Sequence, residues 1–350
     1  MNDALSLAAE HDAAGRHNDA IDELAKAAQR GDVEATTALG KRLIVGENAP
    51  SLPQDGAQLL QDAAAAGGVE AALRLATMAA LGAYMEQSWS NAFGWLVLAA
   101  ERGSESARKQ LVVLTGESNT GVDEAGWRRL VEKLDLRRLL TPARGTMLCP
   151  DPVVRHYPEF IDDRTCAWFI DRARSHLKRA LIYDPAYGGD VADEMRTNSA
   201  AGYDLMSADL VQIIVQYRIA NTIGLPIVNL EGPTVLHYEV GEQITNHYDF
   251  VNPKSPNYQA EIERRGERII TFLVYLNDDY AGGETDFPRI GIQHKGRRRD
   301  GLLFTNALPS GPPDLRMVHA GRPPTSGEKW MLSQFVRNRA VLNARAEHFD

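Results

Sequence analysis

The sequence predicts an α + β multidomain protein: an N-terminal α-helical repeat solenoid followed by a jelly-roll domain with supporting helices. Three observations predict it. Gly31, Gly67 and Gly103 recur every 36 residues, each closing an alanine-rich run. Residues 117–126 are then rich in turn formers, and the periodicity stops there. Beyond Pro233 the texture changes to short β-branched and aromatic segments separated by Gly, Pro, Asn and Asp.

The repeat is the first element. Ala35, Ala71 and Ala107 keep the same interval, and so do Leu39, Leu75 and Leu111. Helix patterns at residues 33–44 and 54–66 lie between these marks, and the glycines fall where a helix must end, since Gly accepts a left-handed cap conformation. A unit of two helices is the mark of a solenoid, whose repeats bury their apolar faces against their neighbours. Residues 5–115 resemble the Sel-type branch of tetratricopeptide-like repeats. The resemblance implies a concave surface for docking another protein, such as a peptide or protein substrate; bracing of the next domain is the other use of such repeats.

Three helices are expected after the linker. A basic one covers 127–140 and is ended by Pro142 and Gly145. Another covers 163–177 around Trp168, Phe169 and Ile170. A third starts at Ser207, a residue suited to an N-cap, and runs through Val211, Ile214, Val215 and Ile219 to 223. Strands are expected at 234–240, 268–276, 285–287, 301–305, 315–319 and 329–337.

Composition narrows the class. Apolar residues make up 44% and charged residues 24%, the balance of a folded globular chain. No apolar run approaches the roughly 20 residues of a membrane span, and Met1-Asn2-Asp3-Ala4 does not begin a secretory signal. Two cysteines, Cys149 and Cys166, make no disulfide framework, so a cytoplasmic location is expected. Residues 1–120 carry 9 Lys and Arg against 16 Asp and Glu. That charge disfavours nucleic acid as a partner.

The chemistry is carried by His247-Tyr248-Asp249 and His319. Two residues apart on an extended segment, His247 and Asp249 share a face. Two imidazoles and one carboxylate form the facial triad of non-haem Fe(II) oxygenases. Three protein ligands leave three positions open, enough for a bidentate co-substrate and dioxygen. Lys329 begins the strand after His319, and a Lys ammonium deep in a barrel needs an anionic partner; a dicarboxylate bound to the metal supplies one. His156, His176, His237 and His294 are expected to be ordinary structural or surface residues.

Several motifs in order resemble the prolyl 4-hydroxylase-like Fe(II)/2-oxoglutarate oxygenases over residues 150–340. They are Arg196-Thr197-Asn198-Ser199; Val235-Leu236-His237-Tyr238 leading to His247-Tyr248-Asp249; Arg268-Ile269-Ile270-Thr271-Phe272; Gly282-Gly283-Glu284-Thr285; Gly301-Leu302-Leu303-Phe304; and His319-Ala320-Gly321 with Lys329-Trp330. The resemblance implies a double-stranded β-helix with iron between its sheets. It implies that Lys329 pairs with the distal carboxylate of 2-oxoglutarate and that Tyr238 and Thr271 hydrogen-bond that co-substrate. It also implies use of dioxygen, support by ascorbate, and release of succinate and carbon dioxide on hydroxylation of a C–H bond. Related halogenases lack the carboxylate ligand, so Asp249 favours hydroxylation. A basic run, His294–Asp300, and Phe335 depart from the family pattern.

The expected domains are therefore 1–116 (repeats), 117–145 (linker and connecting helix) and 146–350 (dioxygenase). The loop 251–266 is a candidate lid, with residues 187–193 as its opposing lip. Arg196, Tyr258, Arg264 and Trp330 are candidate substrate contacts. The leading expectation is hydroxylation of a prolyl or other residue of a peptide or protein. A free amino acid or small metabolite is the second. A non-catalytic metal-binding or sensing barrel with an interaction domain is the third, and the co-substrate lysine argues against it.

Overall fold

The computed structural model describes residues 3–117, 124–184, 189–191, 194–253 and 257–341. The chain divides into two compact units, one comprising Met1–Leu139 with Leu205–Ile214, the other Leu140–Asp204 with Val215–Ala344. Helices precede a sheet-rich C-terminal region, an α + β multidomain architecture. No described helix is long and apolar enough to cross a membrane.

The first unit contains α1 (Asp3–Ala13), α2 (His17–Gln29), α3 (Val33–Val45), α4 (Pro53–Ala65), α5 (Val69–Leu81), α6 (Trp89–Glu101), α7 (Glu105–Thr115), α8 (Glu124–Glu132) and α9 (Leu136–Leu140), the last ending at the boundary. The starts of α2, α4 and α6 are 36 residues apart, as are those of α3, α5 and α7. Gly31, Gly67 and Gly103 take φ of 86°, 108° and 93°. At each, the next residue's N–H reaches back to the carbonyl of Ala27, Ala63 or Ala99 and closes the helix end. A second glycine series, unseen in the sequence pattern, caps the alternate helices at Gly46, Gly82 and Gly116. Asp32 and Ser104 cap the starts of α3 and α7 by accepting from Ala35 and Ala107 N–H. Ala35, Ala71, Ala107, Leu75 and Leu111 are wholly buried. Gly40 and Gly56 let α3 and α4 touch backbone to backbone: a Cβ on Gly56 would lie 2.6 Å from the Gly40 carbonyl oxygen.

The second unit contains β1 (Thr146–Pro150), β2 (Val153–Tyr157), α10 (Asp163–Arg174), β3 (Lys178–Arg179), β4 (Ile182–Asp184), β5 (Gly189–Val191) and β6 (Ser199–Gly202). It takes up again within α11 (Leu210–Ile223) and continues through β7 (Thr234–Tyr238), β8 (Ile244–His247), α12 (Tyr258–Arg265), β9 (Arg268–Tyr275), β10 (Ala281–Gly282), β11 (Thr285–Phe287) and β12 (Ile292–His294). The last elements are β13 (Gly301–Thr305), β14 (His319–Gly321), β15 (Pro324–Ser326) and β16 (Lys329–Arg337). An eight-stranded antiparallel sheet runs β1-β2-β13-β9-β16-β7-β6-β3, and a four-stranded one runs β12-β11-β14-β8.

Strand alternation sorts the core. Phe272, Val274, Trp330 and Leu332 face Cys166, Phe169, Val215 and Ile219 of the helices. Leu273, Tyr275 and Met331 face the other way, onto Phe287 and Met317.

Four expectations change. The helix expected at 127–140 is two, α8 and α9. The helix expected from Ser207 begins at Leu210, because Asp209 accepts from Gln212 N–H and takes the capping role. The strand expected at 315–319 is a 3-10 turn over Leu315–Met317, capped by Asp314, and His319 begins β14 instead of ending a strand. The loop 251–266 contains α12, whose Arg264 and Arg265 pair with Glu261. Of the expected lip, residues 189–191 form β5, and 187, 188, 192 and 193 lie outside the described residues, as do 118–123 of the linker.

Candidate metal centre and co-substrate cavity

β8 and β14 are neighbours, and His247 and His319 are directly paired across them. Their rings stand 4.2 Å apart between centroids. Asp249, just beyond β8, places Oδ1 at 3.4 Å from His247 Nε2 and Oδ2 at 3.3 Å from His319 Nε2. One ligand atom from each of the three lies within 4.8 Å of the others, and no second such group occurs among the described residues.

The backbone sets the tautomers. His247 Nδ1 is 2.9 Å from the Thr245 carbonyl, and His319 Nδ1 is 3.0 Å from the Met317 carbonyl. A carbonyl only accepts, so each Nδ1 carries hydrogen and each Nε2 turns a lone pair to the site. Burial, and then His319, lower the His247 pKa, favouring neutral imidazole. Burial opposes ionisation of Asp249, but the two histidines hold it well below the usual carboxylate range. Burial disfavours the charged form of His319, but Asp249 raises its pKa, so a metal bound there displaces a proton. Two imidazole nitrogens and one carboxylate on one side of an open cavity suit Fe(II).

That cavity measures about 420 Å³. His247, Asp249, His319, Tyr238, Lys329 and Arg196 all line it. Lys329 is only 1% exposed, donates to the Gly283 carbonyl at 2.7 Å, and faces Tyr238 across the β16–β7 pairing. Burial is the main cause that lowers its pKa to about 7, and Lys295 adds to it while Glu284 opposes. Burial likewise pushes the Tyr238 phenol up to about 12, so it is a hydrogen-bond donor at neutral pH. Gly283 has φ of 71°, and a Cβ there would lie 2.8 Å from the Tyr280 ring and 3.2 Å from Lys329 Cδ. Only Gly fits the turn that brings its carbonyl to the lysine.

Four expected contacts do not line the cavity. Thr271 donates its hydroxyl hydrogen to Asp249 Oδ2 at 2.7 Å. Trp330 points to the opposite face from Lys329, as strand neighbours must; it is core, its ring tilted against that of His237 with centroids 4.2 Å apart. Tyr258 and Arg264 lie on α12, away from the cavity. His237 pairs with Glu328 at 2.8 Å.

Sequence reading missed Met331, Ser333 and Phe335, which line the cavity. Counting by twos along the strand from Lys329 finds all three. It also missed Arg268, a cavity residue paired through both nitrogens with buried Glu231. Glu231 has no local signal, since its partners lie far along the chain.

The 2OG-Fe(II) oxygenase superfamily matches residues 233–337. The probable prolyl 4-hydroxylase 7 of Arabidopsis thaliana is 32% identical over 221 residues, spanning 58% of this chain and 68% of that protein. The probable prolyl 4-hydroxylase 9 of the same plant is 30% identical over 207 residues, spanning 54% and 69%. Among solved structures, a viral collagen prolyl hydroxylase from Paramecium Bursaria Chlorella virus-1 is 22% identical, covering 53% of this chain and 94% of that one with a TM-score of 0.41.

Proposed function

The chain belongs to the prolyl 4-hydroxylase family of the 2OG-Fe(II) oxygenase superfamily, and from that premise we propose that it hydroxylates a prolyl residue of a peptide or protein. It is an Fe(II)- and 2-oxoglutarate-dependent dioxygenase, using dioxygen and releasing succinate and carbon dioxide. The observation that carries the reading is the convergence of His247, Asp249 and His319 in one cavity with a buried lysine.

In this reading those three residues hold the iron. Iron bound there supplies activation of dioxygen, coupled to decarboxylation of 2-oxoglutarate and oxidation of a C–H bond. Lys329 takes the distal carboxylate of 2-oxoglutarate, and the Tyr238 hydroxyl donates to the same group. Ile244, Leu273 and Met331 make the wall apolar and exclude water. Arg196, half-buried in the cavity lining, meets the substrate. Ascorbate sustains turnover.

The two sheets are the halves of a double-stranded β-helix, a jelly roll, within a dioxygenase domain of residues 146–350. Residues 1–116 are Sel-type repeats, joined to it through residues 117–145, which include α8 and α9. The repeats dock the protein substrate, and the enzyme works in the cytoplasm. A groove of about 830 Å³ in the first unit, lined by Met85, Phe93, Trp95 and Leu98, supports docking. So does exposed Gly94 on its floor, where a Cβ would meet nothing. Earlier repeats carry Gln58 and Asp22 at that position. A mid-helix Gly costs about 1 kcal/mol relative to Ala, and no packing among the described residues requires it here.

The test offers the purified protein Fe(II), ascorbate and 2-oxoglutarate with proline-rich peptides, free proline and a peptide pool from cell extract. Succinate release and a mass gain of one oxygen atom on a prolyl peptide are expected. Turnover on free proline alone would move the substrate to the small-molecule class. No turnover with any pool, together with Fe(II) and 2-oxoglutarate affinities that His247→Ala leaves unchanged, would remove the enzyme reading. Gly94→Arg is expected to slow turnover on a whole protein and leave a short peptide unaffected.

A further inference from the structure

We propose that Thr271 and Asn306 form a relay that orients the Asp249 carboxylate, engaging one oxygen so that Asp249 binds iron through the other alone. The proposal rests on the reading that His247, Asp249 and His319 hold iron, and it assigns Thr271 a positioning role in place of the co-substrate contact that the family resemblance implies.

Three chain segments meet here. Asp249 follows β8, Thr271 sits in β9, and Asn306 follows β13. Thr271 Oγ1 lies 2.7 Å from Asp249 Oδ2, and Asn306 Nδ2 lies 2.9 Å from Thr271 Oγ1. Asp249 is 8% exposed and the other two 1% each, so water offers little substitute for either bond.

The direction of the relay follows from donor chemistry. An amide nitrogen has only hydrogens to offer, so Thr271 accepts from Asn306. The single hydroxyl hydrogen of Thr271 is then left for Asp249, which is ionised and only accepts. Neither support can drift. Asn306 is tied at its own backbone, donating to the Ile269 carbonyl at 2.8 Å and accepting from Asp314 N–H at 2.9 Å. Thr271 is β-branched, with few rotamers, on a strand paired on both sides, opposite Phe304 and Phe335.

The consequence lies in the count of open positions. A carboxylate that turns freely can ligate through both oxygens and take a fourth position. This chemistry needs three free, two for 2-oxoglutarate and one for dioxygen. A charge-assisted bond from Thr271 holds Oδ2 and leaves Oδ1 as the ligand.

The test compares full-length wild type with Thr271→Val, Thr271→Ser and Asn306→Ala. Calorimetry under anaerobic conditions reads Fe(II) affinity without 2-oxoglutarate, then 2-oxoglutarate affinity of the iron-loaded protein. Spectroscopy reads the visible band that 2-oxoglutarate gives on chelating Fe(II). Thr271→Val has nearly the same shape and lacks the hydrogen; it is expected to weaken Fe(II) binding about tenfold, the effect usual for a partner of a metal ligand, and to shift the band. Thr271→Ser restores both to near wild type, and Asn306→Ala falls between. Wild-type Fe(II) affinity and band in Thr271→Val, with a loss confined to 2-oxoglutarate affinity, would overturn the relay and make Thr271 a co-substrate contact. Failure of Thr271→Ser to restore iron binding would overturn it too, leaving packing as the cause. Should Thr271→Val not fold, Asn306→Ala carries the decision: unchanged iron affinity and band there refute the relay. Wild type that binds no Fe(II) refutes the metal reading itself, and the relay with it.

Discussion

Lys329 makes 2-oxoglutarate binding depend on pH. Its ammonium is buried, touches one neutral carbonyl, and has Lys295 as a like-charged neighbour, so its pKa falls to about 7. A bound distal carboxylate reverses that balance and pulls the pKa back up. Below pH 7 the lysine is charged in both free and bound protein, and affinity is flat. Above pH 7 the free site is neutral, so the dicarboxylate must bring a proton with it. Affinity then falls about tenfold per pH unit, or roughly 2.7 kcal/mol between pH 7 and pH 9. Calorimetry on Mn(II)-loaded protein, in buffers of different ionisation heat, reads both the affinity and the proton uptake. Uptake approaching one proton at pH 8 is expected, and Lys329→Met should bind weakly with no such slope. An affinity equal at pH 7 and pH 9, with heats independent of buffer, would refute the reasoning. The same depressed pKa has a folding consequence of opposite sign. Between pH 7 and the ordinary lysine range the unfolded chain holds the proton and the folded one does not, so this group makes stability without ligand rise with pH.

Further outcomes follow from single residues. Glu231→Gln strips the buried partner from Arg268 and Arg337, and should cost about 3–5 kcal/mol in denaturant unfolding. Burial works against the Glu231 charge, yet its arginines lower its pKa to about 2; its stabilisation is therefore complete above the ordinary glutamate value and is lost as pH falls toward 2, and acid titration of the wild type against the variant checks this. Gly283→Ala should weaken 2-oxoglutarate binding at unchanged iron affinity, because its Cβ meets Tyr280 and Lys329 and displaces the carbonyl that holds the ammonium. Gly56→Ala should lower stability by about 1–3 kcal/mol through the α3–α4 contact, read as a lower thermal midpoint with 2-oxoglutarate affinity unchanged.

Much of the site could be read along the chain because its signals are local. His247 and Asp249 are two residues apart, Lys329 opens a strand, and the glycines of the repeats return every 36 residues. Period and spacing depend only on neighbouring residues, so they survive in one dimension. The elements misjudged were those decided by a cap or a distant partner. Asp209 displaced Ser207 as a helix start, and the Asp314 turn replaced a strand before His319. α12 hides in a polar segment whose Glu261 is held by Arg337, 76 residues away.

The sequence by itself determined the two-part architecture, the candidate ligand triad and the buried lysine, because hydrophobic period, glycine position and ligand spacing are written in short stretches. Only the tertiary structure decided how those ligands are aimed. It paired Thr271 with Asp249, turned Trp330 into the core and left Tyr258 and Arg264 outside the cavity. Each of those outcomes depends on which strand lies beside which and on which face a side chain leaves. Antiparallel pairing of β8 with β14, and of β9 with β13 and β16, brings together residues up to 77 positions apart, a proximity that no local pattern encodes.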